Sequence, residues 1–457
     1  CQSILLAGKC RYCAHKIAPS TSGNSLKVGM REQTRASHPI SRYFGSAFWL
    51  LLEKFLRLAS GLLVGIWLAR YLGPTDFGAL SYALNLVALL AGFLTLGLDN
   101  LIVRELVKTP EHEDRLFGTA LGMRIGGLFL SAIAALAILA HSKASPETRF
   151  LVGLVWLSTL FQLFNLIELH FQAHGTTKNT AIANTAATIF SAGHKAALIW
   201  HEAPLTLFAA ASISETLIVA IFLTYLYRRV GRRVSSWCFD CSTAGLLARQ
   251  GWPLFLSALA IAVYSRADQI IIEALLSTEA VGHYAAAVRL SESWFFIPAI
   301  ICNALLPSVV TARSEGKEKY LHIQLKIYRG MFFLCIAVAL PVTLLSNEIV
   351  LLLYGPSYSS ASVILAIHIW SGLFISLGCA SSLWLIAEGL TRYSLYRTSI
   401  GGLASIALNF LLVPKLGLTG AAISALCSYF VATFSLLLFA KTRSCGLTML
   451  FPRLPTK

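Results

Sequence analysis

The sequence predicts an all-α integral membrane protein with about twelve transmembrane helices in two six-helix lobes around a central cavity. Of its 457 residues, 56% are hydrophobic and only 13% are charged, against about a quarter in soluble proteins. The mean hydropathy is +0.69. Apolar runs of about twenty residues, the length that crosses a bilayer, recur from residue 44 almost to the end. These runs are too long and too uniformly apolar for barrel strands, so we expect helices.

The predicted spans are separated by polar or turn residues. They lie near 45–69, 77–98, 117–140, 150–172, 180–200, 205–227, 252–274, 281–311, 330–346, 361–387, 395–413 and 417–440. The eighth and tenth runs are long enough for a tilted or broken helix.

The basic residues predict the orientation of these spans. With both termini in the cytosol, 27 of the 37 Lys and Arg residues lie in cytosolic segments and four lie in outer loops. Such a bias is typical of membrane proteins, whose cytosolic loops are enriched in positive charge. The formal net charge of +16 therefore marks topology and does not indicate a nucleic-acid partner. The remaining six basic residues fall inside predicted spans: Lys54, Arg57, Arg124, Lys195, Arg266 and Arg289.

A polar interval near 228–251 divides the spans six and six. Each half carries a related segment at the start of an even-numbered span, at 77–83 and, 204 residues later, at 281–287. We therefore predict two copies of one lobe in the same orientation, as in parallel-repeat transporters. The predicted boundaries are a cytosolic tail 1–43, an N-lobe 44–228, a linker 229–250, a C-lobe 251–440 and a cytosolic tail 441–457. The first methionine is Met30, so we interpret the residues before it as a mis-set start.

Charged residues inside spans must face protein or water, because a charge at the bilayer centre costs about 2.5 kcal/mol or more. The spacing of Arg57 from Glu53 and of Arg289 from Glu292 allows each pair to neutralise itself on one helix face. Arg124 and Lys195 have no acid three or four positions away. Arg266 and Asp268 are two apart, so they point to different faces and each needs a partner elsewhere.

These cations allow two interpretations. They line a water-filled cavity that attracts an anionic substrate such as a diphosphate-linked glycan, since arginine binds phosphate with two parallel hydrogen bonds. Alternatively, they extend to an interface or form structural pairs, which suits Arg266 and Arg289 near their span ends.

Short motifs in a fixed order carry a family resemblance. They are residues 65–78 (GIWLARYLGPTDFG), 96–99 (LGLD), 103–105 (VRE), 171–173 (FQA), 252–254 (WPL), 264–270 (YSRADQI), 279–287 (EAVGHYAAA), 354–358 (YGPSY), 408–410 (LNF) and 414–422 (PKLGLTGAA). Over about residues 42–440 the chain resembles polysaccharide flippases of the Wzx type. These form the polysaccharide-transport branch of the multidrug/oligosaccharidyl-lipid/polysaccharide exporter superfamily.

The resemblance implies a flippase that moves undecaprenyl-diphosphate-linked oligosaccharide repeat units across the bacterial inner membrane for O-antigen or exopolysaccharide biosynthesis. It implies alternating access driven by an H⁺ or Na⁺ gradient, with both termini cytoplasmic. Its expected partners are membrane lipid, a polysaccharide polymerase and a chain-length regulator. For the anionic head group the implied residues are Arg124, Lys195, Arg266, Arg57 and Arg289. The candidates for ion coupling are Asp268, Glu215 and Glu168.

Two other functions are weighed against this one. A drug or cation antiporter of the same superfamily would need acids in its cavity and fewer unpaired cations. A membrane-embedded polysaccharide polymerase or ligase would need a large catalytic outer loop, whereas the longest one here, near 346–360, holds no catalytic set. A lipid II flippase is closer in function, but we would expect spans beyond twelve.

The sequence predicts neither an enzyme nor a cofactor or metal site. It has no glycine-rich loop followed by Lys-Ser/Thr, so ATP hydrolysis is not expected. His170 and His174 are four apart, which we interpret as incidental. The Cys10/Cys13 and Cys238/Cys241 pairs have the spacing of zinc ligands, but the first pair precedes Met30.

Overall fold

The computed structural model describes residues 39–142 and 144–450, with side chains from Glu53 onward except that of Ser257. Residues 45–457 belong to one compact unit. The predictions for the N-terminal tail up to residue 38, the Cys10/Cys13 pair, the outer-loop Lys143 and residues 451–457 lie outside the described residues.

Within the described residues the chain forms α-helices joined by short turns and 3-10 segments, and no strand occurs there. The helices are α1 (Pro39–Thr95), α2 (Asp99–Lys108), α3 (Glu113–His141), α4 (Pro146–Leu157), α5 (Thr159–Gln162), α6 (Leu166–Ala173), α7 (Thr177–Trp200), α8 (Leu205–Arg229), α9 (Cys241–Leu275), α10 (Thr278–Glu292), α11 (Phe296–Glu315), α12 (Lys317–Leu344), α13 (Ser346–Leu353), α14 (Ala361–His368), α15 (Ser371–Ala387), α16 (Arg392–Phe434) and α17 (Arg443–Leu450). The predicted all-α membrane fold is confirmed.

Two of the longest helices each contain two predicted spans. The first and second spans both fall in α1, which breaks at Gly73, where φ is 73°. The eleventh and twelfth fall in α16, which breaks at Gly417, where φ is 59°. Glycine accepts a positive φ without a steric penalty, and Pro74 directly after the first break fits the start of a new helix.

Among the described residues, nine helical segments are long and apolar enough to cross a membrane. Two of these, Glu53–Lys108 and Arg392–Leu438, contain the paired spans. The predicted fifth span is α7, which is more polar than those nine because it carries Lys195 and several Thr and Asn residues. If the two long segments are counted as two spans each and α7 is added, the nine segments of the described chain give the twelve spans that the sequence predicts.

Three predicted spans consist of consecutive shorter helices. The eighth span is divided into α10 and α11 around residues 293–295, and the tenth into α14 and α15 around residues 369–370. Of the two possibilities that the length of these runs allowed, a tilted or a broken helix, the structure has a break in each. The fourth span is also interrupted, between α4 and α6, which the sequence did not indicate.

Each membrane helix has one face for protein and another for lipid. In α3, Phe129, Ile133 and Leu136 are each more than 60% exposed, and their spacing places them on one stripe. On other faces of the helix, Phe117 and Ala120 are fully buried. In a membrane protein such an apolar stripe faces the hydrocarbon of the bilayer, because exposing this much apolar surface to water is unfavourable.

The linker is shorter than predicted, because α9 begins at Cys241 rather than near residue 251. Asp240 caps this helix: its carboxylate accepts hydrogen bonds from the Ser242 hydroxyl and from the Thr243 hydroxyl and backbone N–H. These bonds hold the Asp240 pKa down at about 2. Before the cap, the backbone N–H of Cys238 donates to the carbonyl of Asp114, so the linker lies against the start of α3.

The two related segments of the lobes pack against each other. A Cβ on Gly78 in α1 would collide with the Thr278 carbonyl and the Gly282 nitrogen of α10, and a Cβ on Gly282 would collide with the Pro74 carbonyl. Beside them, the Tyr358 hydroxyl donates to the Ala69 carbonyl at 2.9 Å. Both lobes therefore touch, backbone to backbone, at their predicted outer end.

Candidate substrate-binding cavity

A cavity of about 520 Å³ lies between the lobes. Its walls come from α1, α7 and α8 of the first lobe and from α9 and α10 of the second. This volume falls within the range of about 300–1,000 Å³ that is usual for ligand sites. Its apolar wall includes Leu68, Phe77 and Phe208, near the predicted outer end of their helices.

The charged residues of the wall are mostly basic. Four of them are cations, Arg57, Lys195, Arg266 and Arg289, and two are acids, Glu215 and Glu292. The wall therefore has an excess of two formal positive charges. Four of the six basic residues that the sequence places inside spans thus meet at one place.

The two cations of the first lobe are paired with acids. Arg57 Nη2 lies 2.5 Å from Glu53 Oε1, one turn earlier on α1, as the spacing predicted. Lys195 Nζ on α7 lies 3.1 Å from Glu215 Oε2 on α8. The Ser191 hydroxyl donates to the same Glu215 oxygen. The sequence left Lys195 without a partner because only residues on the same helix are visible from spacing.

Arg266, one of the two second-lobe cations, has a neutral partner. Its Nη1 donates to Asn85 Oδ1 at 2.9 Å, and the Asn85 amide donates to Gln269 Oε1 at 2.7 Å. Among the described residues no carboxylate lies within the 4 Å ion-pair distance of this guanidinium. The Arg266 guanidinium is therefore held in place by an amide network and has no direct ion pair in the described part of the chain.

The spacing allows Arg289 to pair with Glu292, but the two side chains form no ion pair in the described part of the chain. The Arg289 guanidinium extends across to α1, with its central carbon 6.0 Å from the centroid of the Phe77 ring. It lies against Gly65, where an added Cβ would overlap it. The guanidinium fits there because Gly65, on the opposite lobe, has no side chain. Spacing along α10 cannot reveal a contact of this kind.

Arg124 does not line the cavity, so the expectation that it binds the anionic head group there is wrong, and it forms a structural pair instead. Its Nη2 lies 2.6 Å from Asp99 Oδ1, at the start of α2, and the arginine is 2% exposed. A buried cation without a counter-charge is costly, so this pair is a structural requirement of the first lobe. The acid is 25 positions away, beyond the reach of helix spacing.

Two of the three predicted coupling acids also lie outside the cavity wall. Asp268 accepts hydrogen bonds from Tyr284 at 2.9 Å, Ser405 at 3.0 Å and Asn409 at 2.7 Å. Glu168 accepts one from Asn184 at 2.8 Å. Only Glu215 is in the wall. The expectation that Arg266 and Asp268 face different ways is confirmed, because Arg266 points to the cavity and Asp268 to α10 and α16.

Sequence reasoning missed three polar residues. Asn85 and Gln269 line the cavity but carry no charge, so a search for charges inside spans passed over them. Arg397, counted as a loop residue, lies within α16 and donates to the Gly378 carbonyl and to the Ser381 and Ser382 hydroxyls of α15. Its position inside the predicted 395–413 span was a signal for its burial.

Comparison with known families identifies this architecture. The family model described as polysaccharide biosynthesis protein matches residues 45–310, more than half of the chain. The chain belongs to this family. A second family model, MatE, matches residues 253–411 in the second lobe. The resemblance to the polysaccharide-transport branch is confirmed, and this member of the family is a multi-pass membrane protein.

Similar proteins come from bacteria and archaea. A putative O-antigen transporter of Shigella flexneri is 26% identical over 371 residues, covering 78% of this chain and 88% of the relative. A probable flippase, AglR, of Haloferax volcanii is 23% identical over 391 residues, covering 80% of this chain and 77% of the relative.

Solved structures share the fold at low sequence identity. The lipid II flippase MurJ in an inward closed conformation aligns with a TM-score of 0.68 at 15% identity, covering 89% of this chain and 91% of MurJ. A multidrug resistance MATE family transporter in an inward-facing conformation aligns with a TM-score of 0.67 at 17% identity, covering 86% and 95%. These likenesses establish the twelve-helix, two-lobed fold.

Proposed function

We propose that this protein is a flippase that moves polyprenyl-diphosphate-linked oligosaccharide repeat units from the cytosolic to the outer leaflet of the bacterial inner membrane. The observation that carries the proposal is the meeting of four basic side chains in one cavity between the lobes, with only two acids. The names of the Shigella and Haloferax relatives support the same class of substrate. The product would serve surface polysaccharide biosynthesis.

The two cations of the second lobe, which have no direct ion pair among the described residues, suit a diphosphate. A phosphate about 4 Å from one guanidinium gains about 4 kcal/mol where the effective dielectric constant is about 20. Among the described residues no acid lies at ion-pair distance from Arg266 or Arg289. Arg57 and Lys195, by contrast, must break their ion pairs with Glu53 and Glu215 before they can bind a phosphate. We therefore assign first contact with the phosphates to the second lobe.

The same charge balance argues against a drug or cation antiporter. A cationic drug entering the cavity would meet an excess of positive charge, and each acid in the wall lies beside basic residues. The MatE family model matches only residues of the second lobe, and the similarity to the solved MATE transporter establishes the fold alone. The outer segment near 346–360 consists of α13 and a 3-10 turn, which does not favour a polymerase.

Ion coupling by Asp268 extends the proposal. Its carboxylate lies beside the Tyr284, Ser405 and Asn409 side chains, and Asn409 Oδ1 is buried without a hydrogen-bond partner among the described residues. Carboxylate, hydroxyl and amide oxygens are suitable ligands for a hard cation such as Na⁺. Glu215 offers a second route, since its protonation would release Lys195 to the substrate. Glu168 is not supported by its position.

The experiment replaces Arg266 and Arg289 with Ala, singly and together, in a host that lacks its own flippase gene. We expect at least a tenfold loss of surface polysaccharide in the double variant, together with accumulation of lipid-linked repeat units on the cytosolic leaflet. We expect this loss because the double variant lacks both cavity cations that have no direct ion pair among the described residues. Protein in the membrane fraction is measured alongside.

Lys54→Ala is the matched control. Lys54 lies on the same helix as Arg57, is exposed and does not line the cavity. We expect it to export like the parent protein. Normal export by the double variant, or normal surface polysaccharide in the deletion host itself, contradicts the proposal.

A further inference from the structure

A second polar cluster lies outside the cavity, at the predicted cytosolic end of the first lobe. It consists of Glu113 at the start of α3 and of His170 and His174 at the end of α6. One ligand atom of each lies within 4.8 Å of those of the other two. Glu113 is 1% exposed and His170 is 6% exposed, while His174 reaches the surface.

The hydrogen bonds of the two histidines fix the position of their protons. His170 Nδ1 lies 2.7 Å from Glu113 Oε1, and His174 Nδ1 lies 2.8 Å from the backbone carbonyl oxygen of His170. An ionised carboxylate and a carbonyl can only accept, so each Nδ1 must donate. In each neutral ring the lone pair is then on Nε2.

These two lone pairs belong to neighbouring rings. His174 is the C-cap residue of α6, four positions after His170, and the two ring centroids are 4.3 Å apart. Side chains at this spacing share one helix face. Two imidazoles presented in this way are a usual pair of ligands for a transition metal.

Glu113 orients His170 from behind and is itself fixed. The Tyr227 hydroxyl donates to Glu113 Oε1 at 2.9 Å, and the Trp237 indole N–H donates to Tyr227 at 3.2 Å. Metal-binding histidines almost always donate their other ring N–H to a carboxylate or a carbonyl, and both arrangements occur here. None of Glu113, Tyr227 and Trp237 lines the cavity, so this hydrogen-bond network is separate from the proposed substrate site.

We propose that this cluster is a binding site for one divalent transition metal ion such as Zn²⁺. The ligands are Nε2 of His170 and Nε2 of His174, with water completing the coordination and Glu113 orienting His170. In a tetrahedral zinc site the ligand atoms are about 3.4 Å apart, from bonds of about 2.1 Å. One ring nitrogen of His170 and one of His174 already lie within 4.8 Å of each other, and rotation of the exposed His174 side chain is needed to bring the two Nε2 atoms to this distance.

Arg232 acts against the metal. Its Nη2 lies 3.4 Å from Glu113 Oε2, and the side chain is 41% exposed. A cation at this place repels a second cation. The site therefore binds more tightly when Arg232 is neutral, which provides a test with a gain of affinity.

The experiment measures Zn²⁺ binding to the full chain, purified in detergent without a polyhistidine tag, by competition with a chromogenic chelator. We expect His174→Ala to bind one Zn²⁺ fewer per chain, with at least about a tenfold loss of affinity at this site. Glu113→Gln should weaken binding and Arg232→Gln should strengthen it. Because His174 is exposed, its replacement leaves the core intact.

His141→Ala is the matched control. His141 is also exposed at the end of a helix, and its Nδ1 lies 2.9 Å from the carbonyl of Ala137, four residues earlier. It has no second histidine beside it in the described structure. Equal Zn²⁺ binding by the parent, His174→Ala and His141→Ala proteins, including no binding by any, overturns the proposal.

Discussion

At the scale of single residues, Gly65 decides where the Arg289 guanidinium lies. The side chain crosses from α10 to α1 and occupies the space that a Cβ on Gly65 would take. Glycine inside a helix costs about 1 kcal/mol relative to alanine, so its presence here is a disadvantage for the helix alone. The compensation is a cation placed at the junction of both lobes.

We expect Gly65→Ala to lower export several-fold without lowering the amount of protein, because the methyl group displaces Arg289 while alanine favours the helix. Surface polysaccharide per unit of membrane protein is the measurement. Gly61→Ala is the control, since Gly61 also lines the cavity but has nothing within 4 Å of its missing Cβ. Equal export by both variants would show that the position of Arg289 is unimportant.

At the scale of helices, Asp268 joins three elements. It lies on α9 and accepts hydrogen bonds from Tyr284 of α10 and from Ser405 and Asn409 of α16. The bonds from these three donors are stronger when the carboxylate is ionised, because charge-assisted hydrogen bonds are stronger than neutral ones. Under the proposal of ion coupling at Asp268, a cation bound there would change the packing of all three helices together.

We expect Asp268→Asn to lower export and to abolish its dependence on an ion gradient, because the amide has nearly the same shape but no charge to bind a cation. Export is measured at several external Na⁺ concentrations and with the proton gradient collapsed. Ser405→Ala removes one donor and keeps the charge, so it should retain the dependence. Full, gradient-dependent export by Asp268→Asn would exclude Asp268 from coupling.

The helices also show how glycine separates spans. Gly73 and Gly417 take positive φ values within runs that are otherwise continuous, and each break turns one long helix into two spans. The sequence predicted both boundaries, since the Gly-Pro pair at 73–74 and the residues Pro414 and Gly417 interrupt helices. The interruption of the fourth span was not predicted because residues 158–165 contain no glycine or proline.

At the scale of the whole molecule, the distribution of charge predicts which face is cytosolic. The linker between the lobes carries Cys238 and Cys241, which are free and exposed. We expect a membrane-impermeant maleimide to label them in inverted vesicles and not in intact spheroplasts. The double variant Cys238→Ser/Cys241→Ser gives the background from the other cysteines. Labelling of these two residues in spheroplasts would reverse the topology.

The sequence by itself determined the membrane class, the number and order of the spans, and a set of six cations inside spans, four of which line the cavity. These properties depend on local composition, which any window of about nineteen residues reveals. Spacing allowed pairing along one helix for both Arg57 and Arg289, and the structure has such a pair at Arg57 but not at Arg289.

Only the tertiary structure decided which charges meet. Lys195 forms an ion pair with Glu215 on a neighbouring helix, and Arg266 donates a hydrogen bond to Asn85, 181 positions away. Arg124 lies outside the cavity, where it pairs with Asp99. Glu113 likewise joins His170 across 57 positions. The physical reason is that a buried charge is satisfied by whatever group the packing of the helices brings within hydrogen-bond reach, and that packing is not encoded in spacing along the chain.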